Sequence, residues 1–479
     1  MRPYSVVIAF LVMLMCIGCT PADITIKPPR SNNANLFSPT KNPPSKIRGT
    51  WTSEAYGWIL DINEAGVKLY DVNSTNCTNA TSLLESYETY FHTYTLEDNK
   101  LGLSGVYYPY TYYFEPLAEL PLKCKTPPVI TPSGVFDFFV ETMKQHYAFF
   151  DERGANWDNI VAEHKPEISD TMSDDELWTV LRTMLKPIND GHITLREFEK
   201  RKYFPGRGKT MMSIVPLALS KGENPQAMFE AWYADYIVQI ETKLLGKSAQ
   251  QRANNRVIFG LIDDEVGYIN IRSMGGYIKE IDWTTEGFNK ELAILDSALD
   301  EAMVQFENAK GVIIDVSDNS GGFGMFSDLI ASRFATKTLE GNYRFPASHP
   351  ELIQREPAIK PSEKHRFTGP VIVVGSNLTV SAGESFMMSI RQSDNVRIAG
   401  EPTRGALSEV MTKTLPNGWE LDLSNEPYLD EQKRLWEVSG IQPDIPMQVF
   451  NPDDIFEGHT DAINKLATRL TEEYDANAD

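Results

Sequence analysis

The sequence predicts an α/β protein whose core carries a largely parallel sheet, preceded by a helical region and a small antiparallel β-domain. Three observations lead there. From Glu265 onward strand and helix patterns alternate: Gly267-Tyr268-Ile269-Asn270-Ile271, then Asn289 to Phe306, then Gly311 to Val316, a helix beyond Phe326, and Val371 to Val374. Short β-branched runs separated by helices are the mark of a parallel sheet covered on both faces. Upstream, Phe136, Phe138, Phe139, Met143 and Tyr147 recur at helical spacing and Trp157, Ile160 and Val161 continue it. Ser173-Asp174-Asp175-Glu176 then opens an acid-rich helix running through Val180, Leu181 and Met184 to Leu185, where acidic side chains favour the positive end of the dipole. These Met and aromatic stripes read as core, not as a cofactor box. Earlier still, Gly57 to Ile62 and Val67 to Val72 alternate in polarity, and aromatic segments around Tyr107 to Phe114 follow; this is antiparallel strand patterning.

The first residues bear on location. Arg2 precedes an apolar run from Val6 to Ile17, too short to span a bilayer, which reads as a secretory signal over residues 1–18. Cys19 follows Cys16-Ile17-Gly18, and the segment resembles a bacterial lipoprotein signal in which Cys19 carries the lipid; an ordinary signal peptide cut nearby is the other reading. Residues 19–46, rich in Pro, Asn and Ser, suit a flexible tether. The rest divides into a β-domain at 47–127, a helical region at 128–205, a helical insert at 206–264, the core at 265–450 and a C-terminal helix at 451–479. A formal net charge of −21 and the lack of Lys and Arg clusters argue against nucleic acid as a partner. With Cys19 lipidated, Cys77 and Cys124 remain as a pair; an oxidising compartment favours a disulfide between them, and two free buried thiols are the alternative.

Three motifs could carry chemistry. In Pro370 to Glu384 a buried strand breaks into a polar turn and presents Ser381 at a helix start, among unpaired N–H donors. Ser381 also fits a plain N-cap, with Glu384 completing a Ser-x-x-Glu capping box. In Val312 to Gly322 a strand runs into Gly321-Gly322. Paired glycines let backbone N–H groups approach an oxyanion, or serve only a tight strand-to-helix turn. In Leu185 to Thr194, His192 follows a Gly turn. Histidine is the usual base for a serine nucleophile, although a lone His after Gly is commonly structural. No H-E-x-x-H or Cys/His spacing suggests a metal, and no phosphate-binding loop is present.

Together with Trp436 to Ile445, these motifs resemble the tail-specific protease family of serine peptidases, family S41, over roughly Gly134 to Val449. The resemblance implies a crotonase/ClpP-like core of repeated ββα units. Processing proteases of this family place a lysine base about 25 residues after the serine; the stretch Gly400 to Ala406 has Arg404 but no lysine, and a guanidinium is no usable base. The chain is instead similar to the tricorn-core and retinoid-binding-protein-like branch. That implies Ser381 as nucleophile, His192 as general base and Glu437 as orienting acid, with the N–H of Ala382 and of Gly321 or Gly322 as oxyanion hole. Gly191 stands where the tricorn-type site has a serine linking His to Glu, so Glu437 must reach His192 directly or through water. Ser317 stands where many relatives carry arginine, and Asp190 and Asp444 read as turn and capping residues. No segment resembles a PDZ domain; the insert Gln226 to Asn255 occupies its place.

The reading is a lipid-anchored serine endopeptidase of the bacterial envelope, on the outer-membrane or periplasmic face, acting on protein or peptide substrates without cofactor. Its rival is a non-catalytic module on the same scaffold that binds an apolar ligand or peptide.

Overall fold

The computed structural model describes residues 43–479 apart from 75, 85–90, 106–109, 127, 129, 198–200, 204–205, 207–208, 281, 283–284, 452, 454 and 479. The expected signal, Cys19 and all but the end of the tether therefore lie outside the described residues, as do Tyr107 and Tyr108. Among the described residues no helix is long and apolar enough to cross a membrane.

The protein is a mixed α/β structure. Its central sheet has seven strands in the spatial order Gln250–Arg252, Val257–Ile262, Val266–Ile271, Gly311–Asp315, Val371–Gly375, Val396–Gly400 and Ile445–Pro446. The first two pairings are antiparallel, and every later pairing is parallel. Side chains alternate along each strand, so both faces must be covered. Val312, Ile314, Val371 and Val373 pack with residues of the helices Thr285–Gln305, Gly324–Ser332 and Ala382–Ile390. Ile313, Ile372 and Val374 pack instead with residues of Pro225–Gln239 and His459–Ala478. Adjacent parallel strands end on the same side, so the turns after Asp315 and Gly375 meet at one edge of the sheet, the place where open α/β sheets build their sites.

A four-stranded antiparallel sheet, unpredicted from sequence, carries the histidine loop to that edge. It pairs Glu409–Thr414, Glu420–Glu426, Thr194–Glu197 and Arg201–Tyr203 in that order. Leu195, Leu421 and Leu423 turn inward, and on the other face Arg196 forks onto Asp422 at 2.6 and 2.7 Å and reaches Glu420 at 3.1 Å. The strand at Thr194 is four residues long, and the partner that ties it into the sheet, Glu420–Glu426, lies more than two hundred residues away, so no local periodicity announces it.

The N-terminal strands share their core with this sheet. One hydrophobic cluster runs from Ile47 through Trp58, Phe139 and Leu181 to Leu195, and closes on Met411, Trp419 and Leu423. Buried Lys413 pairs with buried Asp71 at 2.9 Å across the same junction. Cys77 and Cys124 are joined as a disulfide, with Cα atoms 5.0 Å apart.

Leu195 is fully buried three residues after His192. Leu195→Ala is expected to cost about 2–5 kcal/mol, read as a lowered urea midpoint with unchanged slope; an unchanged midpoint would mean that this strand is not packed as described.

Candidate active site

Ser381 is the N-cap of the helix Ala382–Ile390, and its backbone is held at φ 55°, ψ −122°. A non-glycine residue there stores strain of about 1–3 kcal/mol, which persists only where the surroundings over-determine it. The surroundings are identifiable. The Ser381 N–H donates to Ala406 O at 3.0 Å and to Glu384 Oε2 at 3.1 Å. Glu384 is fully buried and also accepts from Thr403 Oγ1 at 2.5 Å and from the N–H groups of Gly405 and Ala406 at 2.7 and 2.9 Å. Burial pushes its carboxyl up, against the pull of these donors. Beyond completing a capping box, Glu384 thus fastens the 403–406 segment to the start of the serine's helix.

The glycine turn is laced to the serine turn. Thr379 Oγ1 donates to Val316 O at 2.8 Å, Ser376 Oγ to Ser317 O at 2.6 Å, and Val380 N–H to Asn319 O at 3.1 Å. At Ser317 it is the backbone carbonyl that takes part in this lacing. Below the turn, Asp315 accepts from Tyr268 at 2.6 Å and pairs with His459 at 2.7 Å, while Tyr233 and Asn270 donate to Asp318 at 3.1 and 2.9 Å. The insert and the C-terminal helix therefore both brace this turn. Gly321 and Gly322 differ in a way no sequence reading reveals. The Gly321 N–H donates to Asn319 Oδ1 at 2.9 Å. The Gly322 N–H has no acceptor among the described residues, nor has that of Ala382, the first residue of its helix. Gly322 sits at φ 140°, and a Cβ there would lie 2.0 Å from Met274 O, so only glycine fits.

His192 enters from the other side. Its N–H donates to Asp190 Oδ1 at 2.8 Å, and the other Asp190 oxygen accepts from Tyr147 and Ser424 at 2.8 and 2.9 Å. Both ring nitrogens are buried without a hydrogen-bond partner among the described residues. The ring lies within electrostatic reach of Asp190, Arg153, Arg404 and the Ser408 backbone, and burial above all holds its pKa down to about 4. It is therefore neutral at pH 7.

Glu437 makes no direct hydrogen bond to the His192 ring, and both of its oxygens have other partners. Oε1 pairs with Arg153 Nη2 at 3.0 Å; Oε2 accepts from the N–H groups of Leu407 and Ser408 at 2.8 and 3.1 Å. Arg153, which the motifs did not single out, is the missing link. Its side chain is buried, donates to Asn189 O at 2.7 Å and Gly405 O at 3.2 Å, and lies 3.4 Å from Asp190. One cation thus faces two buried carboxyls, those of Asp190 and Glu437. Burial and the nearby Asp190 push Glu437 up to about 8. Asp190, although burial opposes it, is held below its usual range by Arg153 and its other donors. Asn189 and Val438 flank the pair with φ of 52° and 67°, so the histidine loop and the glutamate turn also carry left-handed backbone.

Ser381, Ala382, Gly321 and Gly322 open onto a cavity of about 150 Å³ that extends between Phe288, Phe323 and Met325. Ser408 lines it too, so the segment whose N–H groups bind Glu437 is also a wall of the cavity. Among the described residues no group of three or more His, Cys, Asp or Glu side chains could hold a metal ion.

Residues 265–447 match the model of peptidase family S41, and residues 131–186 match that of the tricorn protease C1 domain. A crystal structure described as a candidate peptidase from Parabacteroides merdae is similar at 26% identity and TM-score 0.55, covering 71% of this chain and 96% of that one. Mature CPAF complexed with lactacystin matches at 12% identity and TM-score 0.51, covering 72% and 98%. Mature CPAF alone matches at 12% identity and 0.51, covering 73% and 98%. The CPAF likenesses concern the fold.

Glu384→Gln turns an amide nitrogen toward backbone donors, and each donor left unsatisfied costs about 1–3 kcal/mol. The amides of Gly405 and Ala406 should lose hydrogen-exchange protection while Val371–Gly375 keeps its own. Unchanged protection at 405 and 406 would contradict the clamp.

Proposed function

We propose that this chain, which belongs to peptidase family S41 and is a serine peptidase, hydrolyses peptide bonds of exported or envelope proteins through an acyl-enzyme on Ser381. The observation that carries the reading is the shared segment 405–408: its N–H groups bind Glu384 beside Ser381 at one end and Glu437 beside the His192 loop at the other. The strained backbone of Ser381 supports the same role, since nucleophilic serines are commonly presented on such turns.

In the first step Ser381 Oγ bonds to the scissile carbonyl carbon as its proton passes to His192. The carbonyl oxygen becomes an oxyanion, accepting from the Gly322 and Ala382 N–H groups. Gly322 is favoured over Gly321 because Asn319 already takes the Gly321 N–H. Collapse breaks the C–N bond, and His192 returns the proton to the departing amine. Water, deprotonated by His192, then releases the acid from Ser381. A neutral imidazole is what the first step requires, and burial keeps His192 so. Imidazolium formed in the reaction is stabilised by the negative charge of Asp190, which favours the protonated ring. Glu437 acts as a positioning residue through Arg153 and the Leu407 and Ser408 amides, not by contact with the ring. An exported protein anchored through a lipid on Cys19 is the location that the leader pattern supports.

A fluorophosphonate should label the wild type at Ser381, and Ser381→Ala should not label. His192→Gln should lose turnover with its circular dichroism intact. Absent wild-type labelling, or equal labelling of Ser381→Ala, would leave the scaffold as a binding module.

The pH dependence follows from the lowered His192 pKa. Between about 6.5, the usual histidine value, and about 4, the unfolded chain binds a proton that the folded site refuses. Stability therefore falls as pH falls across that window, and kcat/KM should hold below pH 6 and collapse only near the lower value. An acid limb at 6.5 would mean that the base is exposed or is another group.

A further inference from the structure

We infer that the N-terminal β-domain completes the reaction centre: the Tyr56 hydroxyl, acting through Glu426 and Ser408, positions the 405–408 segment that joins Ser381 to the His192 loop. This rests on the reading of Ser381 as nucleophile and goes beyond it by adding a positioning residue from outside the core. Tyr56 lies in the turn between the strands Gly49–Ser53 and Trp58–Asn63 and is buried. Its hydroxyl donates to Glu426 Oε1 at 2.5 Å and, with its one proton so used, accepts from Tyr110 Oη at 2.7 Å. Its carbonyl accepts from Lys413 Nζ at 2.5 Å. Lys413 and Glu426 sit on Glu409–Thr414 and Glu420–Glu426, the hairpin that begins where the 405–408 segment ends, so Tyr56 grips both of its strands. At Glu426 the grip reaches the segment itself. The Glu426 N–H donates to Ser408 Oγ at 3.1 Å, and the Ser408 N–H donates in turn to Glu437. Ser408 also lines the cavity onto which Ser381 opens.

Charge explains why a donor is needed at this point. Glu409 and Glu426 stand opposite each other across the ladder, and the register shifts between Glu409 and Val410. Like charges so placed push the strands apart, and Glu426 is buried as well, which adds a desolvation cost. The donors gathered there offset both effects. Arg344 lies 3.4 Å from Glu426 and 3.7 Å from Glu409, Tyr428 Oη donates to Glu409 at 3.4 Å, and Tyr56 donates to Glu426. Without the Tyr56 hydroxyl, a buried carboxylate loses a donor at the residue whose N–H holds Ser408. The β-domain has other attachments to the core. Asp71 pairs with Lys413 and accepts from the Thr414 N–H at 2.8 Å, and Gln354 bonds both backbone groups of Thr111, at 2.9 and 3.3 Å. Removing the hydroxyl therefore leaves the domain docked and withdraws only its hold on Glu426.

The test uses the full-length protein and a fluorophosphonate, whose labelling of Ser381 yields a saturation constant KI and a limiting rate kinact. Tyr56→Phe keeps the ring that stacks on Trp58 and removes only the hydroxyl. It should lower kinact about tenfold with KI unchanged, the scale of one lost hydrogen bond to a buried charge, and the Ser408 and Glu426 amides should exchange faster. Ser408→Ala cuts the next link of the same chain and should lower kinact to the same degree, with the double variant no slower than either single one. Leu60→Ala opens a cavity in the core of the same β-domain but keeps the hydroxyl; it should lower the urea midpoint and leave kinact as in the wild type. Should Tyr56→Phe not fold, Ser408→Ala decides on the same readouts. Unchanged kinact in Tyr56→Phe or Ser408→Ala, an additive double variant, or an equal fall in Leu60→Ala overturns the positioning role and leaves the reading of Ser381 standing. A folded wild type that does not label overturns the two together.

Discussion

Backbone segment 405–408 is held by two buried carboxylates, and the rest of the site depends on that arrangement. Glu384 takes the N–H groups of Gly405 and Ala406; Glu437 takes those of Leu407 and Ser408. One carboxylate belongs to the serine's helix and the other to the turn beside the histidine loop. Four neighbouring amides, which a loop would ordinarily give to water, are thereby converted into a rigid strut between elements far apart in sequence. Each carboxylate costs desolvation, and the donors offset it. The strut in turn holds Ser381, whose own N–H is bound to Ala406 O.

The protein concentrates backbone strain around this strut. Ser381, Val438 and Asn189 all have positive φ, and each adjoins or carries a group with a proposed role. Such conformations last only where neighbouring bonds outweigh them. Here those bonds are the Glu384 and Glu437 contacts, the Arg153 bridge to Asp190 and Asn189, and the lacing of the serine turn to the glycine turn. Arg153 joins Glu437 to the histidine loop, reaching Asp190 and the Asn189 carbonyl on the other side.

Much of this was legible in the sequence, and the exceptions share one cause. Val312 to Ile314 and Val371 to Val374 are continuous β-branched runs, the pattern of strands buried on both faces, so the core strands and the turns after them follow from local pattern. The Ser381 helix start carried its own capping signal. The pairing of Thr194–Glu197 with Glu420–Glu426 did not, because a four-residue strand has too few residues to show a period. Arg153 lies in a loop and acts through contacts distant in the chain, so no spacing marks it. The choice between Gly321 and Gly322 turned on where the Asn319 side chain points, which composition cannot encode. Glu437 stood out by motif, yet its contacts proved to be with Arg153 and backbone amides.

The central claim is that Ser381, the Gly322 and Ala382 amides and His192 form one reaction centre across the 405–408 strut. A crystal structure of the fluorophosphonate adduct tests it most directly. The account predicts phosphorus bonded to Ser381 Oγ, a phosphoryl oxygen accepting from the N–H groups of Gly322 and Ala382, and the His192 ring turned toward the adduct. An adduct on another residue, or an oxygen held away from Gly322 with His192 still unpartnered, would contradict it.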